Sequence, residues 1–92
     1  MRRQGTILVI DDEEIMREIL ETLLTREGYR VRLAASGPEG LDVVRSTPID
    51  AVIVDVMMPG MDGLQVLDAI HDIDDELPVL MITAFASMET AV

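Results

Sequence analysis

Three short apolar runs in this chain end on oxygen-bearing side chains that could do chemistry. Ile7-Leu8-Val9-Ile10 runs into Asp11 and Asp12, Ala51-Val52-Ile53-Val54 into Asp55, and Val79-Leu80-Met81-Ile82 into Thr83. If the carboxylates at 11, 12 and 55 met in a partly desolvated pocket they would repel one another, and their pKa values would rise unless a cation sat among them. A small set of hard oxygen donors favours Mg2+ that keeps several waters over a caged Ca2+ or zinc. With charge screened in this way, one carboxylate could serve as nucleophile toward a phosphoryl group. The Thr83 hydroxyl and the loop amides after Asp55 and Thr83 could then cradle the product.

For those side chains to meet, the runs must lie side by side. Each is wholly apolar, as strands buried on both faces of a parallel sheet are. Between the first two, Glu14 to Glu27 carries Ile15, Ile19, Leu20, Leu23 and Leu24 at helical spacing, with Arg17, Glu18, Glu21 and Arg26 on the other side and Gly28 as a stop. Tyr29 to Ala35 alternates arginine with apolar residues, which fits an edge strand. Ser36 with Glu39 and Asp62 with Gln65 have the spacing of capping boxes, opening helices that run to about Ser46 and through Leu64, Leu67 and Ile70. Asp72 to Leu77 reads as a turn, and Ser87 can cap a further helix. Strand and helix alternate, so the expected fold is α/β, a doubly wound parallel sheet. Ligands of such sheets bind beyond the carboxyl ends of the strands, which would gather Asp11, Asp12, Asp55 and Thr83 at one rim.

Bulk composition narrows the function. Ninety-two residues with no polar linker suit one domain, and 49% apolar content with one Tyr and one Phe means an aliphatic core. The net charge of −11 argues against this segment contacting nucleic acid or an anionic membrane. All 7 basic residues are arginines, and cysteine is absent, so neither a disulfide framework nor a thiolate metal site is available. The first apolar run is too short for a signal peptide, which makes the cytoplasm the expected location.

The motifs Asp11-Asp12-Glu13, Asp55-Val56-Met57-Met58-Pro59-Gly60-Met61-Asp62-Gly63 and Thr83-Ala84 together resemble the receiver domain of bacterial response regulators, over Thr6 to Val92. The resemblance implies a flavodoxin-like sheet of strand order 2-1-3-4-5. It also implies that Asp55 is phosphorylated by a histidine kinase, that Asp12 and Asp55 ligate Mg2+ directly, and that Asp11 helps through water. Met57 would add its backbone carbonyl and Ala84 a backbone amide to the phosphoryl group. Thr83 would be the switch hydroxyl that turns onto the aspartyl phosphate, so that phosphorylation controls an output domain, fused or in trans. The run from Thr83 to Val92 looks like that of regulators of the nitrogen-regulation class, which place a sigma-54-activating ATPase after the receiver. His71 is then an ordinary surface residue, since the donor histidine belongs to a separate kinase.

Receivers carry a lysine at the end of a fifth strand and an aromatic switch residue on that strand, and this sequence holds neither. The expectation is a single receiver domain over 1–92, truncated after strand four and the start of helix four, lacking strand five and helix five. Poor phosphorylation of this polypeptide would follow unless a longer parent supplies the lysine. Strand four would be left as an apolar edge open to a second copy of the chain. Met57 and Phe85, apolar where water might otherwise be held, suggest slow loss of the phosphoryl group.

Each residue also has a plainer reading. Asp11 to Glu14 could answer the helix dipole, Asp55 and Thr83 could close turns, and the methionines at 57, 58 and 61 could fill gaps. Joint arrival at three strand ends favours the functional reading. Two other functions are weighed against it. Phosphatases of the haloacid-dehalogenase kind set two aspartates one residue apart after the first strand, whereas Asp11 and Asp12 are adjacent. A module that only docks would not need the acidic motifs. The chain is therefore expected to be a phosphoacceptor that assists its own phosphotransfer, with no turnover of an external substrate.

Overall fold

The computed structural model describes residues 5–82. Four strands and three helices alternate along it: β1 (Thr6–Ile10), α1 (Glu14–Arg26), β2 (Arg30–Ala34), α2 (Gly37–Ser46), β3 (Ala51–Asp55), α3 (Gly63–Ile73) and β4 (Val79–Ile82). The strands form one parallel sheet in the order β2-β1-β3-β4, so the chain reverses its direction of travel across the sheet after β2. The expected flavodoxin-like, doubly wound order is present in these strands. Strand five and helix five are not among the described elements, and neither is the expected helix after Thr83, which lies outside the described residues.

Side chains of a strand alternate between faces, and the two faces here are covered differently. Leu8, Ile10, Val52 and Val54 point to the side where α2 and α3 pack, joined by Leu41, Val66 and Ile70 from those helices. Fully burying one such side chain contributes about 1.5–3 kcal/mol. The opposite face is crossed by α1, which contacts β1 and β2, and Val9 is sealed there. The expectation that β3 is buried on both faces needs correcting, whereas β4 lies at the sheet edge as expected. Ala51 and Ile53 are only half-buried and Leu80 is 60% exposed, since α1 packs chiefly over β1 and β2.

Local signals set the helix ends. Gly28, at φ 98°, lets the chain leave α1 with Gly28 N–H donating to the Thr25 carbonyl and Tyr29 N–H to the Leu24 carbonyl, the paired bonds of a Schellman stop. Asp62 and Gln65 close a full capping box on α3. The box expected at α2 is incomplete. Ser36 Oγ accepts from the Glu39 amide, but Glu39 Oε1 accepts from Ala35 N–H instead of Ser36 N–H. Apolar packing on α1 is also shifted by a residue from the expected face. Met16, Leu20 and Leu24 are half-buried, while Ile15 is 73% exposed and Ile19 and Leu23 are exposed as well.

Candidate functional site

Register brings the acidic residues together. Ile10 pairs with Val54 across β1 and β3, so the next rung sets Asp11 beside Asp55, and neighbouring strands run about 4.8 Å apart. Asp12 follows in the short turn before α1. One carboxylate oxygen from each of Asp11, Asp12 and Asp55 lies within 4.8 Å of the others, with Asp11 buried, Asp55 half-buried and Asp12 exposed. The three carboxylates read from sequence therefore meet in space.

Asp11 is held on several sides. Its amide donates to the Ala34 carbonyl at 3.1 Å, its Oδ1 accepts from Glu13 N–H at 2.9 Å, and its own carbonyl accepts from Arg17 Nη1 at 2.7 Å. Only 2% of the residue is exposed. Burial pushes its carboxyl above the ordinary carboxylate range. The Glu13 amide pulls the other way, and the charges of Asp55, Asp12 and Glu13 push it up further. At Asp11 the repulsion expected of converging carboxylates thus adds to the larger effect of burial.

Asp55 ends β3, and its Oδ1 accepts from Met57 N–H at 3.1 Å. The loop that follows is anchored at its far side, where Gly63 N–H donates to the Val56 carbonyl at 3.0 Å and α3 begins. Gly63 has no room for a side chain, since a Cβ would stand 2.8 Å from the Asp55 carbonyl oxygen and 2.8 Å from Val56 Cα. A cleft of about 460 Å3 lined by Val56, Met57, Met58, Pro59 and Asp62 opens one residue beyond the acceptor. The loop methionines divide, with Met58 buried and Met57 61% exposed over the cleft.

The donor set fits a hard divalent cation. It is all oxygen, charged, clustered, and free of histidine and cysteine. His71 sits far along α3, exposed, with Nε2 3.3 Å from the Leu77 carbonyl. Thr83 and Ala84 lie outside the described residues, as do Phe85, Ser87 and the rest of the closing run. The contact that sequence reasoning missed is Arg17, which the helical pattern assigned to the solvated side of α1. Its place in the first turns after Asp11 was the only available hint.

A sheet of this order with an acidic rim at its switch point invites comparison with known proteins. The profile of the response regulator receiver domain matches residues 7–92. Response regulator MprA of Mycolicibacterium vanbaalenii is 45% identical over 86 residues, covering 94% of this chain and 37% of that protein. Among solved structures, a response regulator receiver domain protein from Clostridium thermocellum superposes with a TM-score of 0.85 at 33% identity, over 96% of this chain and 71% of that one. Response regulator protein TrrA of Thermotoga maritima, solved in complex with Mg2+ and beryllofluoride, gives a TM-score of 0.86 at 35% identity, over 97% of this chain and 77% of that one. The chain belongs to the response regulator receiver domain family. It spans little more than a third of the length of the curated relatives it matches, 37% for the MprA sequence above. No helix among the described residues is long and apolar enough to cross a membrane.

Proposed function

We propose that this domain is a phosphoacceptor of two-component signalling, taking a phosphoryl group on Asp55 from a histidine kinase and passing the change to an output domain. The observation that carries the reading is the meeting of Asp11, Asp12 and Asp55 within 4.8 Å at the carboxyl ends of two adjacent strands. Asp12 and Asp55 would hold Mg2+ directly, Asp11 through water, and Met57 through its carbonyl. When bound, Mg2+ supplies screening of the negative charge on the acceptor and on the transferring phosphoryl oxygens.

The chain's own residues set up the rest. Met57 N–H orients Asp55 by holding Oδ1, and among the described residues no hydrogen bond engages Oδ2, which is left to attack. Attack of Oδ2 on phosphorus forms the acyl phosphate as the phosphorus–nitrogen bond of the phosphohistidine breaks, and the imidazole leaves with a proton. Asp11, buried and tied to Glu13, stays fixed while charge moves beside it. Thr83 and the Ala84 amide are the proposed phosphoryl contacts that couple the acceptor to the switch. The domain assists its own phosphorylation and turns over no external phosphoester.

The test is a small phosphodonor with Mg2+, applied to this chain and to a form extended past Val92. The expected product, scarcer on this chain than on the extended form, is a hydroxylamine-sensitive phosphoryl adduct that requires Mg2+ and is lost in Asp55→Asn. An adduct that persists in Asp55→Asn, or that forms equally with the metal chelated, overturns the reading.

A further inference from the structure

Among the described residues, the acidic rim contains one cation that the phosphoacceptor reading does not use. Arg17 is half-buried on α1, and its Nη1 donates to the Asp11 carbonyl at 2.7 Å, a short bond from a charged donor. Its own backbone N–H donates to the Glu13 carbonyl at 3.1 Å. One residue thus ties both ends of the turn that carries Asp11 and Asp12. The other arginines of the described residues lie elsewhere. Arg26 and Arg45 sit in the last turns of α1 and α2, and Arg30 and Arg32 on the outer strand β2, with Arg32 bonded to Thr47.

The guanidinium bonds the carbonyl of Asp11 and not its carboxylate. Its contribution is therefore geometric. Three like charges within 4.8 Å push one another apart, and the turn after β1 is the part of the rim that could give way. With the Asp11 amide held by Ala34 and Oδ1 by Glu13, the Arg17 bond to the carbonyl completes the fixing of that residue beside Asp12 and Asp55.

The geometry points to Arg17 as a positioning residue of the acidic site: by clamping the Asp11 carbonyl it holds the Asp11–Asp12 turn in place and so sets the affinity of the cluster for a divalent cation. The inference rests on the proposed Mg2+ site. Two effects of removing Arg17 have opposite signs. Loss of a positive charge beside an anionic site should tighten cation binding, with a strong dependence on salt, whereas loss of the clamp should weaken it. Outer partners of metal ligands typically contribute about 10–100-fold in affinity, so the clamp is expected to win.

The test is calorimetric titration of the 92-residue chain with MgCl2, comparing wild type, Arg17→Gln and Arg17→Lys. Hydrogen exchange at the Glu13 amide is measured in the metal-free chains. Glutamine keeps the helix propensity while removing the charge and shortening the reach, and lysine keeps the charge and one donor. Expected are binding about tenfold weaker in Arg17→Gln, an intermediate value in Arg17→Lys, and faster exchange at Glu13 in Arg17→Gln with the slowest core amides unchanged. Equal or tighter Mg2+ binding by Arg17→Gln overturns the proposal while leaving the phosphoacceptor reading intact. A wild-type chain that binds no Mg2+ overturns that reading and the affinity claim with it, and unchanged exchange at Glu13 overturns the clamp itself.

Discussion

Asp11→Asn should make the metal-free chain more stable. The amide is nearly the same shape as the carboxylate, its Oδ1 can still accept from Glu13 N–H, and it brings two N–H donors into a cluster of carboxylates. What is removed is charge. At the outer separation of 4.8 Å, one carboxylate pair repels by about 3.5 kcal/mol in an effective dielectric near 20. Two pairs involve Asp11, but Asp12 is exposed and Asp55 half-buried, so water screens much of this and about 1–3 kcal/mol of relief remains. For a domain of this size each kcal/mol moves Tm by about 4–8 °C. The assay is urea and thermal unfolding with EDTA and then with saturating MgCl2. Without metal the variant should unfold later than wild type. With metal the wild type should gain stability that the variant does not match, because a cation binding only the folded state contributes in proportion to the logarithm of its excess over Kd. A metal-free Asp11→Asn that is less stable than wild type would refute the claim that the cluster is held together against its own repulsion.

The other expectations concern pH and the loop. The Asp11 carboxyl is raised in the folded state, so between its unfolded value of about 3.9 and its folded value the native chain binds the extra proton. Its contribution to metal-free stability should therefore fall as pH rises through that window and stay low above it. Comparing unfolding of wild type and Asp11→Asn across pH measures the difference, and an Asp11 contribution that grows with pH would contradict the shift. Gly63→Ala forces a Cβ against the Asp55 carbonyl and Val56 Cα, and overpacking of this kind costs about 1–3 kcal/mol. Weaker Mg2+ binding should accompany that loss as β3 shifts, whereas calorimetry showing unchanged affinity would mean that the loop absorbs the clash away from Asp55. Asp62→Ala removes the side-chain half of the α3 capping box and should lower stability by about 1 kcal/mol in denaturant unfolding, with Mg2+ affinity retained.

Much of the site could be read before the structure because it rests on strand ends. An apolar run stopping at an aspartate places a carboxylate at the end of a buried strand, and the Asp62–Gln65 spacing marks the start of the helix that anchors the loop. The sequence was less informative about α1, where two apolar stripes run in parallel. Ile15, Ile19 and Leu23 repeat every fourth residue, and so do Met16, Leu20 and Leu24, one residue further round the helix. Periodicity alone cannot choose between stripes only about 100° apart, and the sheet takes the second. Turning the helix by that step carries Arg17 to the edge of the buried stripe and onto the Asp11 carbonyl, which is why its role was not legible. The open face of β3 and β4 could not be read from the strands themselves. A run such as Val79-Leu80-Met81-Ile82 records that a strand can be covered on both sides, not that it is.

The pairing of Ile10 with Val54 also acts as a check on the assembled site. Sliding β3 by one residue against β1 would turn Val52 and Val54 away from α2 and α3 and present Ile53 and Asp55 to the interior instead. The chain thus has no easy route to a well-packed form with misaligned acids. An error in carboxylate spacing is therefore also an error in the oily interior, so the same packing that stabilises the sheet aligns the acids.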